Sequence, residues 1–222
     1  MMINHHPTDD FLLALAAGRL AAGPALLVSV HLESCVACRE RLHALQAVGG
    51  ALLEQAAPEL LAPEALARTL ERIDMPAPAA PAAPVAAATA TPRPSLPAGT
   101  SWPASLRGCA ISDWHWMGPG MRYARIALPQ EKDGTLWALQ IAPGRSLARH
   151  THTGLELTQV LRGAFDDGRS VFGPGDFDAT DSDVRHQPVV QEGTQCVCLA
   201  YVEGNLRFEG RIAGLIGGWI GM

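Results

Sequence analysis

No stretch of this 222-residue chain approaches the roughly 20 apolar residues that a membrane-spanning helix needs, although 48% of its residues are hydrophobic. Its opening, MMINHHPTDD, lacks the basic segment and apolar core of a secretory signal. Basic residues are outnumbered: 17 Lys and Arg against 22 Asp and Glu leave a net charge of −5. That argues against a nucleic-acid reader, which normally presents a basic face. Cysteine is sparse and odd in number. Of five cysteines, two form a C-x2-C pair, and Cys109, Cys196 and Cys198 are scattered. This excludes a secreted disulfide framework and places the chain in the cytoplasm. Aromatics are only 5% of the chain, and all five tryptophans (Trp102, Trp114, Trp116, Trp137, Trp219) fall in the second half, where core and edge packing accounts for them.

What is present divides the chain into two. Residues 76–98, PAPAAPAAPVAAATATPRPSLPA, are almost all Pro, Ala and Thr, with Arg93 the only charge. Such a segment cannot bury a core and reads as an extended, semi-rigid linker. Residues 1–75 read as a small helical bundle. Pro7-Thr8-Asp9-Asp10 caps a first helix through Arg19, and Pro24 sits in the first turn of a second helix through about Leu32. A third runs from Ser34 or Cys35 to Gln55, where Gly49-Gly50 suggests close packing or a break, and a fourth from near Pro63 to Asp74. A bundle this small benefits from a staple. Residues 99–222 change period to short strands at 122–128, 135–141, 156–161, 164–166, 169–172, 176–179, 186–190 and 195–202, punctuated by Gly and Pro. That pattern suggests an all-β jelly roll or sandwich, with the Gly-rich stretch 212–222 as a final strand or tail. The fold class is therefore α plus all-β in two domains.

Two clusters carry chemistry. His31-x3-Cys35-x2-Cys38 has metal-ligand spacing, and on one helix or helix start it shares a face. Thiolates with imidazole suit Zn²⁺, and one more histidine closes a tetrahedron. His6, nearer the first helix, is the preferred fourth donor, with His5 the alternative, while His43 lies off the face of the other three. The second cluster is Gly144-x5-His150-x-His152-x3-Glu156-x6-Gly163, followed by the turn Gly173-Pro174-Gly175-Asp176 and by His186. Alternation puts His150 and His152 on one strand face. Three histidines and a carboxylate suit a first-row divalent metal, whether Zn, Mn, Fe, Ni or Cu, and zinc is the first expectation. Cys196 and Cys198 share a face two residues apart and read as buried strand cysteines, with redox partners of the barrel metal as the sharper alternative. Cys109 carries no functional expectation, and Arg39-Glu40-Arg41 reads as a solvated helix face.

The run from Gly144 to Gly163 resembles the first cupin motif, and Gly173-Pro174-Gly175-Asp176 resembles the turn of the second, although His186 lies farther from that turn than the motif usually allows. HLESCVACR (31–39) with His6 resembles the zinc-binding anti-sigma domain. A zinc anti-sigma domain followed by a cupin is similar to the ChrR family of anti-sigma factors. The resemblance implies a zinc on His6, His31, Cys35 and Cys38, and a second metal on His150, His152, Glu156 and His186. It also implies a cytoplasmic inhibitor of an extracytoplasmic-function sigma factor, without membrane or direct DNA contact, that responds to oxidative stress through the barrel, the zinc thiolates, or both. Phe11, Leu12, Leu26 and Leu27, with Leu66, Leu70 and Ile73, are the expected docking surface. The alternative is a metal-dependent, dioxygenase-like cupin enzyme with an appended zinc domain, which needs a substrate pocket at the barrel mouth. DNA binding through the zinc domain has no basic stripe to support it.

Overall fold

The computed structural model describes residues 2–75 and 93–208. The central linker and the Gly-rich C-terminal stretch, Trp219 included, therefore lie mostly or wholly outside the described residues. Four α-helices come first: α1 (Asp9–Ala16), α2 (Ala22–Ser34), α3 (Val36–Gln55) and α4 (Ala65–Asp74). After a 3-10 turn at Ala104–Leu106, the regular elements among the described residues are strands: β1 (Ala110–Ile111), β2 (His115–Gly118), β3 (Met121–Ala127), β4 (Gly134–Ile141), β5 (His150–His152), β6 (Glu156–Arg162), β7 (Phe165–Asp166), β8 (Val171–Phe172), β9 (Phe177–Thr180), β10 (Val189–Val190), β11 (Cys196–Glu203) and β12 (Leu206–Phe208). The main sheet runs β1-β3-β4-β11-β6-β9, with β2 on β3, and smaller sheets β10-β7-β8 and β12-β5 close the other side. The strand pairings are antiparallel.

Local rules explain most element boundaries. Asp9 and Asp10 complement the N-terminal dipole of α1, although Thr8 makes no side-chain cap. The break between α2 and α3 falls at Cys35, whose extended backbone (φ −99°, ψ 104°) ends one helix and caps the next. Hence His31, Cys35 and Cys38 do not share the face of one helix: they line a corner between two. Gly49-Gly50 causes neither a break nor close packing, since both lie within α3 and an added Cβ would meet nothing. Gly163 is required by its turn. Its φ is 68°, and a Cβ there would come within 2.5 Å of the Gln195 carbonyl oxygen.

The core has two layers. Inside the barrel, Trp137, Leu139, Ile141, Val160, Cys196, Cys198, Ala200 and Val202 pack with Phe165 and Phe172. The alternate residues of the same strands, Leu136, Ala138, Leu157, Leu199 and Tyr201, pack outward against Leu12, Leu27 and Val28 of the helices. This explains why β11 is buried at seven consecutive positions (Cys196–Val202): both faces of the sheet are covered. Each of these buried aliphatic side chains contributes about 1.5–3 kcal/mol relative to exposure. Gly23 permits the close approach of α2, because a Cβ there would lie 2.2 Å from the Tyr201 ring.

That seam corrects the expected docking surface. Leu12 and Leu27 are fully buried on the barrel, and Phe11 and Leu26 are partly buried against the same cluster. Only the fourth-helix part of the expectation stays open to solvent: Leu66, Leu70 and Ile73 are 70%, 52% and 72% exposed. The end of the Pro/Ala-rich segment also lies on the barrel. Trp102 donates to Pro94 O and Trp114 to Ser95 O, and the two indoles stack. Glu40 and Arg41 lie on the expected solvated face, while Arg39 is half-buried. Arg39 donates to the Leu32 and Glu33 carbonyls at the end of α2, and Arg41 pairs with Asp9.

Candidate metal centres

At the helical corner, His6, His31, Cys35 and Cys38 each offer one donor atom, and these atoms lie within 4.8 Å of one another. His6 Nδ1 is 3.4 Å from His31 Nε2, 3.4 Å from Cys35 Sγ and 3.4 Å from Cys38 Sγ. His31 is fully buried and uses its other nitrogen, Nδ1, to donate to Gly175 O at 3.0 Å. The tautomer is thereby set, with the Nε2 lone pair facing the cluster. Burial and the neighbouring His6 hold His31 down to about 4, so the ring is neutral, as a ligand must be. Burial and the adjacent Cys35 push the Cys38 thiol up, outweighing the nearby Arg41 charge that lowers it, and a bound cation would favour the thiolates. His5 points elsewhere: its ring packs on Phe172, with Nδ1 3.3 Å from Asp176 and Nε2 3.1 Å from Ser170 Oγ. His43 is exposed and outside the cluster.

Inside the barrel, His150, His152, Glu156 and His186 form a second, fully buried group. His150 of β5 and His186, which lies just ahead of β10 and not on the expected strand 186–190, face each other across an isolated bridge, exchanging backbone hydrogen bonds of 3.0 and 3.1 Å. This pairing offsets the long sequence distance of His186 from the second motif turn. Glu156 Oε2 lies 2.7 Å from His152 Nε2, 3.0 Å from His186 Nε2 and 3.7 Å from His150 Nε2. His186 Nε2 is 3.0 Å from His150 Nε2 and 3.3 Å from His152 Nε2. His150 Nδ1 donates to Ala148 O and His152 Nδ1 to Asp181 O, so both turn unprotonated Nε2 atoms toward one point. Several lone pairs converging on one buried carboxylate are unfavourable without a cation between them, and this donor set fits a divalent metal.

Sequence reasoning missed the groups behind these donors. Asp167 Oδ2 stands 3.8 Å from His186 Nδ1, and Arg169 ties Asp167 to Asp178. Cys196 and Cys198, by contrast, are the buried strand cysteines the sequence led one to expect, free and lining the same small interior cavity as Glu156 and His186. An Asp-x-Arg triplet two residues after β7 begins is too common a loop pattern to have pointed to Asp167. Only the fold brings it to His186.

A helical His2Cys2 corner docked on a barrel with an internal His3Glu group defines a protein with two candidate metal centres on a cupin scaffold. Residues 107–204 match the ChrR cupin-like domain family. Over 222 aligned residues the chain is 38% identical to the anti-sigma-E factor ChrR of Cereibacter sphaeroides, covering 97% of each protein. It is also similar to a chain in the crystal structure of Rhodobacter sphaeroides SigE in complex with the anti-sigma ChrR, at 34% identity and a TM-score of 0.69, over 91% of this chain and all of that one. The chain belongs to the ChrR family of anti-sigma factors. Among the described residues, no helix is long and apolar enough to cross a membrane.

Proposed function

We propose that this protein is a cytoplasmic anti-sigma factor that binds an extracytoplasmic-function sigma factor through its helices and keeps it from RNA polymerase. In this reading residues 1–75 are the grip, 76–98 a tether and 99–222 the sensor. His6, His31, Cys35 and Cys38 hold zinc, which fixes the angle between α2 and α3, because metal-binding energy here is folding energy. His150, His152, Glu156 and His186 hold a second divalent metal, zinc by preference. The observation that carries the reading is the uncovered apolar face of α4, Leu66, Leu70 and Ile73, together with exposed Val48, Leu52 and Leu53 on the far half of α3. On a chain of this family, such a patch fits a protein partner. Release follows an oxidative signal, by oxidation of the thiolates or through the barrel centre.

The enzyme reading has less to support it. The cavity that touches both Glu156 and His186 is about 30 Å³ and mostly apolar, room for a water or two, and a larger open cleft of about 600 Å³ is lined by His186 and Asp167 but not by Glu156, His150 or His152. The deciding experiment is co-expression of the full chain with an extracytoplasmic-function sigma factor. A stoichiometric complex that blocks transcription is expected, lost in the Leu66→Asp/Leu70→Asp double variant. If that variant binds as tightly as the parent, α4 is not the grip.

A further inference from the structure

Two of the four N-terminal donors are held in place by the barrel. His31 Nδ1 donates to the Gly175 carbonyl. His6 belongs to a stretch without regular structure, and that stretch is tied down just before it. The N–H groups of Asn4 and His5 both donate to Asp176 Oδ1, at 2.7 and 3.0 Å, and Phe177 N–H donates to His5 O at 3.1 Å. The other oxygen of Asp176 accepts Gly173 N–H at 2.8 Å and faces His5 Nδ1 at 3.3 Å, and its side chain is only 3% exposed. One turn of the barrel, 173–177, thus supplies a carbonyl, a carboxylate and an N–H to the two histidine donors and their flanks.

We propose that this turn is a latch: Asp176 and Gly175 position His6 and His31 for the N-terminal metal, so that the barrel governs how firmly the helical corner keeps its zinc. The inference rests on the reading that this cluster holds zinc, and it names the regulation of that site. The latch opens directly into β9, the strand that begins at Phe177. From Asp176, β9 runs four residues, about 13 Å at strand rise, to Thr180, whose hydroxyl lies 3.5 Å from Glu156 Oε2. Asp178, on the same strand, groups with Asp167 and His186. A shift of β9 at the barrel centre therefore moves the anchor of His6 and His31. Asp176 is a positioning residue, since it orients donors without being one.

The test uses the full-length protein loaded with Co²⁺, whose thiolate-to-metal charge-transfer band reports only cysteine-bound metal. Release to excess chelator is followed by that band. Asp176→Ala removes the carboxylate, and Asn4→Pro removes one N–H from the other side of the latch without touching the barrel. Both are expected to release metal about 10–100-fold faster, the usual cost of removing a group that orients a ligand. Their ligand-field spectra should shift as His6 leaves the coordination sphere, and Asp176→Asn, which keeps an acceptor oxygen, should recover most of the loss. Should Asp176→Ala fail to fold, Asn4→Pro decides. Parent-like release and spectra in Asn4→Pro overturn the latch while leaving the zinc reading intact. Absence of the charge-transfer band in the parent protein overturns the zinc reading and the latch with it.

Discussion

The two clusters are built by opposite strategies. In the barrel, donors sit on extended backbone: His150 on β5 faces His186 across an isolated bridge, and His152 and Glu156, on β5 and β6, follow within six residues. Every donor residue is buried, and closure of the barrel brings β5, β6 and the segment bearing His186 together around one point. At the helical corner, His6 is exposed and lies outside any helix, Cys35 sits at the junction of two helices, and His31 leans on a barrel carbonyl. The first is a rigid cavity into which a metal fits. The second is a corner whose geometry a metal completes, with soft, oxidisable donors. Under the function proposed above, the cysteine site is the centre whose oxidation would release its metal.

The strongest way to break the comparison is Cys38→Ala. It should lose one equivalent of metal and partner binding together while the barrel equivalent stays, because structural zinc contributes on the order of 10 kcal/mol or more to such a corner. Metal analysis and partner co-purification check both, and full binding by the metal-depleted variant would refute the grip as drawn. Next comes the seam. Leu27→Ala, at a fully buried position, should cost about 2–5 kcal/mol, read as a fall in the denaturation midpoint with both metals retained. The α4 double variant Leu66→Asp/Leu70→Asp should leave metals and folding unchanged and weaken partner binding by on the order of 100-fold, as loss of interface anchors does. Calorimetry separates it from the seam variant.

The smallest effect is acid dependence of the seam. Glu33 accepts from Ala104 N–H and from the N–H and hydroxyl of Ser105, Glu131 accepts from Gly23 N–H, and Asp176 accepts from Asn4 and His5. Burial would raise all three carboxyls, but these hydrogen bonds more than reverse it, so each titrates below its ordinary 4.5 or 3.8. Groups depressed in the folded state stabilise fully above their ordinary values and lose that contribution as pH falls through the depressed ones. Thermal midpoints should therefore decline below about pH 4.5, and Glu33→Gln should flatten the slope. An unchanged slope would remove Glu33 from the seam's acid response.

Much of this was legible in residue order. The alternation of His150 and His152, the Gly144–Gly163 spacing and the C-x2-C pair are local patterns, and local patterns survive without a fold. The longer strands were readable too, since β-branched and apolar runs bounded by glycine leave few alternatives. The two-residue strand β1, the four-residue β2 and the short strand β12 carried too little pattern to be seen. The continuous burial along β11 was visible as an apolar run, QCVCLAYV, yet its meaning, helices on the outer face of the sheet, was not. An apolar run looks the same whichever element covers it.

The chain by itself determined which atoms are available: two imidazoles and two thiols at one end, three imidazoles and a carboxylate at the other, on either side of a segment that cannot form a core. Tertiary structure decided how they are used. It turned His6 in and His5 away, placed His186 opposite His150, covered Leu12 and Leu27 while leaving α4 bare, and brought Asp176 of the barrel to the residues that precede His6. Those outcomes depend on contacts between residues 25 to 172 positions apart, and only the register of strands and the packing of helices on a twisted sheet select among them.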